Sequence, residues 1–324
     1  MIGAKYIVRT ALAAALGMTI GLGSAVAETK IGIAQFGKHP QLDETVTAFK
    51  AELIKLGIAD AVYDELQVNF DATLIPQMVT KLASGSPKLI LAVTTPVAQG
   101  ARQIVGNTNT PVVFAAVTDP VAAKLTPSWE AGDKGMTGAS DLQDVASVIT
   151  FIKKLLPDAK RVAYLYNPGE DNDVAVLKLM QESTKAQSME LVEVGLDNTN
   201  DIPIRVGSLA GKADVIYVPG SNLVQPAVPA VAAAALGINI PVVNASAQAV
   251  RDGLVAAAFE VSYTKVGQNA AKLASEIIAG KSTDTLAPIK PAYEDHTAAI
   301  NEAVLAKTGQ KVPDSLKDCG CLVK

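Results

Sequence analysis

The chain has 324 residues, with 28 Lys and Arg against 32 Asp and Glu, a net charge of −4. That mild acidity, with no basic stripe interleaved with aromatic residues, excludes a nucleic-acid-binding surface of the usual kind. Apolar residues make up 49% of the chain, enough for two lobes of ordinary size, and aromatic residues only 4%.

The first element is not part of a fold. Lys5 and Arg9 precede an Ala- and Gly-rich apolar stretch, Ala11 to Gly23, and then Ala25-Val26-Ala27. This is the pattern of a secretory signal peptide cleaved after Ala27. The apolar run is too short and glycine-rich to span a bilayer, which needs roughly 20 strongly apolar residues.

From Lys30 the chain alternates short apolar runs with helical periodicity. Lys30–Phe36 reads as a strand and Asp43–Leu56 as a helix, with Val46, Phe49, Leu53 and Leu56 on one stripe and a stop at Gly57. Leu66–Phe70 alternates as a second strand, and Ile75–Leu82 is a helix. Leu89–Val93 is an uninterrupted apolar run, as in a strand buried on both faces. Helix Val97–Val105 and strand Val112–Val117 follow. The pattern resumes with helix Val145–Leu156, strand Arg161–Tyr166, helix Asp173–Ser188 and strand Leu191–Val194. It ends with Ile202–Ala210, Asp214–Val218, Val224–Leu236, Pro241–Val243, Leu254–Phe259 and a long helix, Val261–Gly280. Leu286–Tyr293, with two prolines, reads as an extended edge or hinge strand. Such alternation predicts parallel sheets with helices on both faces, and too many strands for one sheet. A lobe boundary is expected near Thr137–Asp141 and a second crossover near Glu260–Tyr263. The two cysteines, Cys319 and Cys321, close the chain. They can form a small disulfide, pair between chains or stay free, and the segment reads as a solvent-exposed tail.

Seven of the apolar runs stop at small polar clusters. In open parallel sheets ligands sit beyond the carboxyl ends of the strands, so two facing sheets would place these clusters around one cleft. Thr94-Thr95-Pro96 is a strong helix start whose amides and hydroxyls suit a carboxylate. Gln35 and His39 flank the end of the first strand, and Thr118-Asp119 ends another. Tyr166-Asn167-Pro168-Gly169-Glu170-Asp171-Asn172 ends a strand and opens a helix with carboxylates and amides. Ser221 and Asn222, and then Asn244, offer further hydroxyl and amide groups. Glu170, Glu260 and Asp119 are the candidates to receive an ammonium group. Catalytic and cofactor signatures are missing: there is no nucleophile elbow, phosphate loop, dinucleotide fingerprint or zinc motif. No cofactor or metal is expected.

Several segments resemble the periplasmic substrate-binding proteins of ABC importers, in the subgroup whose studied members bind aromatic amino acids such as tryptophan and phenylalanine. The resemblance is carried by Ile31-Gly32-Ile33-Ala34-Gln35 with His39-Pro40-x-Leu42-Asp43, Thr94-Thr95-Pro96-Val97-Ala98-Gln99 and Thr118-Asp119-Pro120-Val121. It continues in Met136-Thr137-Gly138, Tyr166–Asn172 and Tyr263-x-x-Val266-Gly267. It implies a two-lobed α/β fold of the type I periplasmic binding protein class. Residues 28–139 plus 262–283 would form one lobe and 140–261 plus 284–324 the other, with three crossovers as the hinge. It also implies that Thr95, Pro96, Gln99, Thr118, Asp119, Tyr166, Asn167, Glu170 and Asn172 face the ligand. Three positions depart from the family: Ser221 stands where an Asp is common, Asp173 where a Ser is common, and Glu260 where the residue is often less acidic. The expectation is an exported, monomeric, periplasmic protein that captures an amino acid or similar zwitterion and delivers it to an ABC permease and its ATPase. A ligand-presenting sensor for a membrane receptor is the alternative, followed by an exported α/β hydrolase or isomerase.

Overall fold

The computed structural model describes residues 28–323. The expected signal peptide, with its expected cleavage after Ala27, lies outside the described residues.

The first lobe alternates β1 (Thr29–Gln35), α1 (Pro40–Lys55), β2 (Ala61–Gln67), α2 (Ile75–Ser84), β3 (Leu89–Val93), α3 (Thr95–Thr108), β4 (Val112–Ala115) and β5 (Met136–Ala139). The strands form one parallel sheet in the order β2-β1-β3-β4-β5. The chain then crosses to the second lobe. There it forms α4 (Val145–Leu155), β6 (Arg161–Tyr166), α5 (Asp171–Ala186), β7 (Glu190–Gly195), α6 (Ile202–Gly207), β8 (Val215–Val218), α7 (Val228–Gly237), β9 (Val242–Asn244), α8 (Ala247–Arg251) and β10 (Ala257–Val261). It returns as α9 (Tyr263–Ile278), which packs on α1. It crosses a third time to give β11 (His296–Ile300), α10 (Glu302–Ala306) and α11 (Asp314–Lys317). The second sheet runs β11-β10-β9-β8-β6-β7, parallel except where β11 pairs antiparallel with β10.

Each sheet is covered on both faces, so each lobe has two apolar cores. In the first lobe, Ile31, Ile33, Leu89 and Leu91 pack with Phe49 and Leu53 of α1 and Val266 and Ala270 of α9. The opposite face joins Ala34, Ile90, Ala92 and Phe114 to α2 and α3. Burial of Phe49 and Leu53 contributes about 2 kcal/mol each. Two helix starts at the crossovers are capped by side chains. Asp144 accepts the Ser147 N–H at 3.1 Å, and Ser262 accepts the Lys265 N–H at 3.2 Å.

The structure moves several expected elements. Strand β2 covers Ala61–Gln67, not Leu66–Phe70: Asn69 and Phe70 take left-handed φ values of 50° and 63° and turn the chain away. Leu286–Tyr293 is not a strand. Only Ile289 bridges to Ala139, and Tyr293–Asp295 is a 3-10 turn leading into β11, which the sequence reading missed. The C-terminal segment is not a free tail. Val312 and Leu316 are buried, and the Ile300 N–H donates to the Cys321 carbonyl at 2.8 Å. Cys319 and Cys321 are joined by a disulfide.

Candidate functional site

The carboxyl ends of both sheets face one another, and a narrow cavity lies between them. On the first lobe its wall comes from the start of α1 (His39, Gln41, Leu42), the turn after β2 (Phe70), the β3–α3 junction (Thr94, Thr95) and the end of β4 (Ala116, Thr118). The crossovers add Asp141 and Tyr263. The second lobe adds Asn172 of α5 and the segment after β8, Gly220–Asn222 with Gln225 and Pro226. The lobes are closed on each other. Gln41 Nε2 donates to the Ala245 carbonyl at 3.0 Å, and Gln99 Nε2 to Asp171 Oδ2 at 2.7 Å.

Asp141 is the one carboxylate among the residues lining this cavity, and no Lys or Arg lines it. It is 8% exposed. Tyr263 OH donates to its Oδ2 at 2.9 Å and Thr118 Oγ1 to its Oδ1 at 3.1 Å. Ser140 Oγ in turn donates to the Thr118 carbonyl at 2.7 Å, which fixes that strand end. Burial pushes the Asp141 carboxyl above its ordinary range, and the Tyr263 and Thr118 hydroxyls oppose the shift. Burial holds the His39 imidazole below its usual value, outweighing Asp43, so it offers a neutral ring to the cavity.

Three buried polar atoms of cavity-lining residues have no partner among the described residues: Thr94 Oγ1, Thr95 Oγ1 and Asn172 Oδ1. Buried polar groups are almost always hydrogen-bonded, so this set needs a ligand or water. Thr94 is also held at φ 91°, a left-handed value that a β-branched residue rarely adopts. It stands at the start of α3, where free amides and the helix dipole favour a negative group. Asn172 Nδ2 donates to Asp173 Oδ1 at 3.0 Å and Glu170 Oε2 at 3.3 Å, so its carbonyl oxygen is the group left over, an acceptor.

Glu170 anchors the second lobe's rim. It accepts the amide N–H groups of Asn222 and Leu223, both at 3.0 Å, and side-chain N–H groups of Asn222 (2.7 Å), Asn167 (3.1 Å) and Asn172. Behind it, Asp173 accepts the Asn167 N–H at 2.6 Å. Burial and then the Glu170 charge push the Asp173 carboxyl well up. An outer chamber adjoins the cavity, sharing Phe70, Asn172, Asn222 and Pro226 with it. Phe36 lines that chamber and stands edge-on to Phe70, with ring centroids 5.4 Å apart. Gly37 leaves room for the Phe70 ring: a Cβ there would meet it at 2.4 Å.

A model of the ABC transporter substrate binding protein family matches residues 30–320. This chain belongs to that family. It is 30% identical over 296 residues to the tyrosine-binding protein of Clostridioides difficile (strain R20291), covering 90% of this chain and 84% of that one. Among solved structures it matches a conserved domain protein from Vibrio cholerae with a TM-score of 0.86 and 28% identity, over 92% of this chain and all of the other. It matches an ABC domain in complex with L-Trp from Streptococcus pneumonia with a TM-score of 0.85 at 24% identity, over 92% and 100%. A ligand-free, open substrate binding protein with adhesive properties from Clostridium difficile gives 0.70 at 30% identity, over 91% and 99%. The fold is that of the periplasmic binding proteins, and members of this family are solute-binding components rather than enzymes.

In this substrate-binding protein the residues singled out in the sequence fall into three groups. His39, Thr94, Thr95, Thr118, Asn172, Ser221 and Asn222 line the inner cavity. Pro96, Gln99, Asn167 and Glu170 line the outer chamber. The other five line neither. Gln35 Nε2 donates to the Gly37 carbonyl and to Asp43, both at 2.8 Å. Asp119 caps a turn by accepting the Val121 and Ala122 amides at 2.9 and 3.0 Å. Tyr166 stacks on Tyr164. Asn244 Oδ1 accepts from Gln225 Nε2 at 2.8 Å and so supports a cavity residue from behind. Glu260 accepts the Ala247 N–H at 2.7 Å at the start of α8. Sequence reasoning missed Asp141, Tyr263, Gln41, Leu42, Phe70 and Gln225 as cavity residues. Tyr263 had a signal, as the first residue of the late motif and at a crossover. Asp141 had only its position at the first crossover.

Proposed function

We propose that the protein captures a free aromatic amino acid between its lobes and hands it to an ABC permease and ATPase. The observation that carries this reading is the pairing of Asp141 with the orphaned Thr94, Thr95 and Asn172 atoms in one closed cavity. The ligand's carboxylate meets the Thr94 and Thr95 hydroxyls at the α3 start. Its ammonium meets Asp141, with Asn172 Oδ1 as a second acceptor. The side chain then lies along Phe70 toward Phe36 and the outer chamber, where an aromatic ring finds edge-on partners. The tyrosine-binding relative supports this ligand class. The mature protein begins at Glu28, works in the periplasm and is a monomer.

The zwitterion is matched without a buried Arg, because the helix start supplies the positive field. The Asp141 charge is costly in the empty site and is offset when an ammonium arrives. A thermal-shift panel of the amino acids, small polyols and nucleosides tests the reading. A ligand at about 100 times its dissociation constant stabilises the fold by about 2.7 kcal/mol, so tyrosine, tryptophan or phenylalanine should raise the melting temperature by several degrees. A panel in which polyols or nucleosides shift the transition and amino acids do not would refute it.

A further inference from the structure

A second site shares no residue with the cleft. A groove runs between α4, the β10–β11 edge and the C-terminal segment, lined by Phe151, Lys154, Phe259, Tyr293 and the Cys319–Cys321 disulfide. Gly320, at φ 65°, is the single residue inside the disulfide loop.

A structural role does not account for this bond. Disulfide stabilisation grows with the length of chain enclosed, and here the two cysteines are only two positions apart. The segment is already tied down without it. The Ile300 N–H donates to the Cys321 carbonyl, and the Val323 N–H to the Ile300 carbonyl, both at 2.8 Å. Cys321 packs against the second lobe's core, whereas Cys319 is exposed. One sulfur is thus anchored, and the other is presented to solvent beside an aromatic groove with a lysine in its wall. Exposed disulfides of this kind are the labile ones.

We infer that Cys319–Cys321 is a thiol–disulfide exchange site that oxidises peptide dithiols seated in this groove. A thiolate of the peptide attacks Cys319 Sγ. The Cys319–Cys321 bond breaks, and Cys321 departs with the electron pair and takes up a proton. The peptide's second thiol gives up its proton and attacks the peptide sulfur of the mixed disulfide. A disulfide forms within the peptide, and Cys319 leaves as the second thiol. Two electrons and two protons pass from the peptide to the protein. Lys154 favours the incoming thiolate, and the exposed Tyr293 ring, above the buried Phe151 and Phe259, receives apolar side chains that flank the cysteines. The backbone bonds of Ile300 keep Cys321 in place while Cys319 swings on Gly320.

The test mixes the full mature chain with a reduced synthetic peptide carrying two cysteines flanked by phenylalanines, and follows peptide oxidation by mass spectrometry. The reference oxidant is the cyclised peptide Asp-Cys-Gly-Cys-Leu, which copies residues 318–322. The protein should oxidise one equivalent at a rate at least about tenfold above the reference. Tyr293→Ala, at a position 69% exposed, should bring the rate down toward it. Cys321→Ser, which leaves Cys319 free, should be trapped as a mixed disulfide by the oxidised peptide. A rate equal to that of the cyclised peptide, or two free thiols in the air-equilibrated protein, would overturn the inference.

Discussion

Asp141 is a carboxylate that the empty protein holds at a cost. Its pKa is raised by burial, so relative to the unfolded chain the neutral form is favoured in the fold. The stability it contributes is present at low pH and is lost as pH rises through the raised value. Above that value the ionised group opposes the unliganded fold, and a ligand ammonium relieves it. Asp141→Asn should leave the melting temperature of the unliganded protein unchanged or higher, yet weaken amino-acid binding by at least about a hundredfold, the scale of removing one partner of a buried charge pair. Calorimetry of the variant checks both halves; retained affinity would dissociate Asp141 from the ammonium. The same shift sets a pH dependence. Affinity should fall on acidification before the ordinary aspartate range of about 4 is reached. Titrations across the acidic range would show this, and an affinity constant down to about pH 4 would count against an ionised Asp141.

At the scale of elements, the second lobe's rim is held by one side chain. Glu170 joins the start of α5 to the segment after β8 through three N–H donors of Asn222 and Leu223, and accepts two more from Asn167 and Asn172 beside it. Glu170→Ala leaves those donors to compete for water at the chamber mouth. A loss of about 2 kcal/mol in stability is expected, with a lower melting temperature and an affinity reduced by about tenfold as Asn172 and Asn222 lose their settings. This outcome is the opposite of Asp141→Asn, which spares the fold and removes the ligand. An unchanged melting temperature would show that the rim does not depend on Glu170. The strand–helix alternation behind this architecture was plain in the sequence wherever burial was complete on both faces, as in Leu89–Val93 and Val112–Ala115. It failed at two of the sheet edges, β2 and β11, and held at a third, β7. Strand β2 carries Asp64 and Glu65 on an exposed edge, so the nearby apolar residues Leu66, Val68 and Phe70 drew the strand too far along. Strand β11, His-Thr-Ala-Ala-Ile, is short and small in side chain, and no helix introduces it.

For the molecule as a whole, function rests on the two strand-end rims meeting. The polar clusters at those ends were legible because a helix start after an apolar run is a local signal, and seven residues read that way line the inner cavity. Asp141, Phe70 and Tyr263 were not legible as cavity residues. They sit at crossovers or in an edge turn, and only the meeting of the lobes makes them neighbours of Thr94 and Asn172. Glu170 and Glu260, read as ammonium partners, instead accept backbone N–H groups of their own lobe. The most direct measurement is isothermal titration of the mature protein with L-tyrosine, L-tryptophan and L-phenylalanine, each beside its N-acetyl derivative. At least one free amino acid should bind with a dissociation constant of about 1 μM or lower, and its N-acetyl form, having no ammonium to meet Asp141, should fail to bind. N-acetyl derivatives that bind as tightly as the free amino acids would contradict the account.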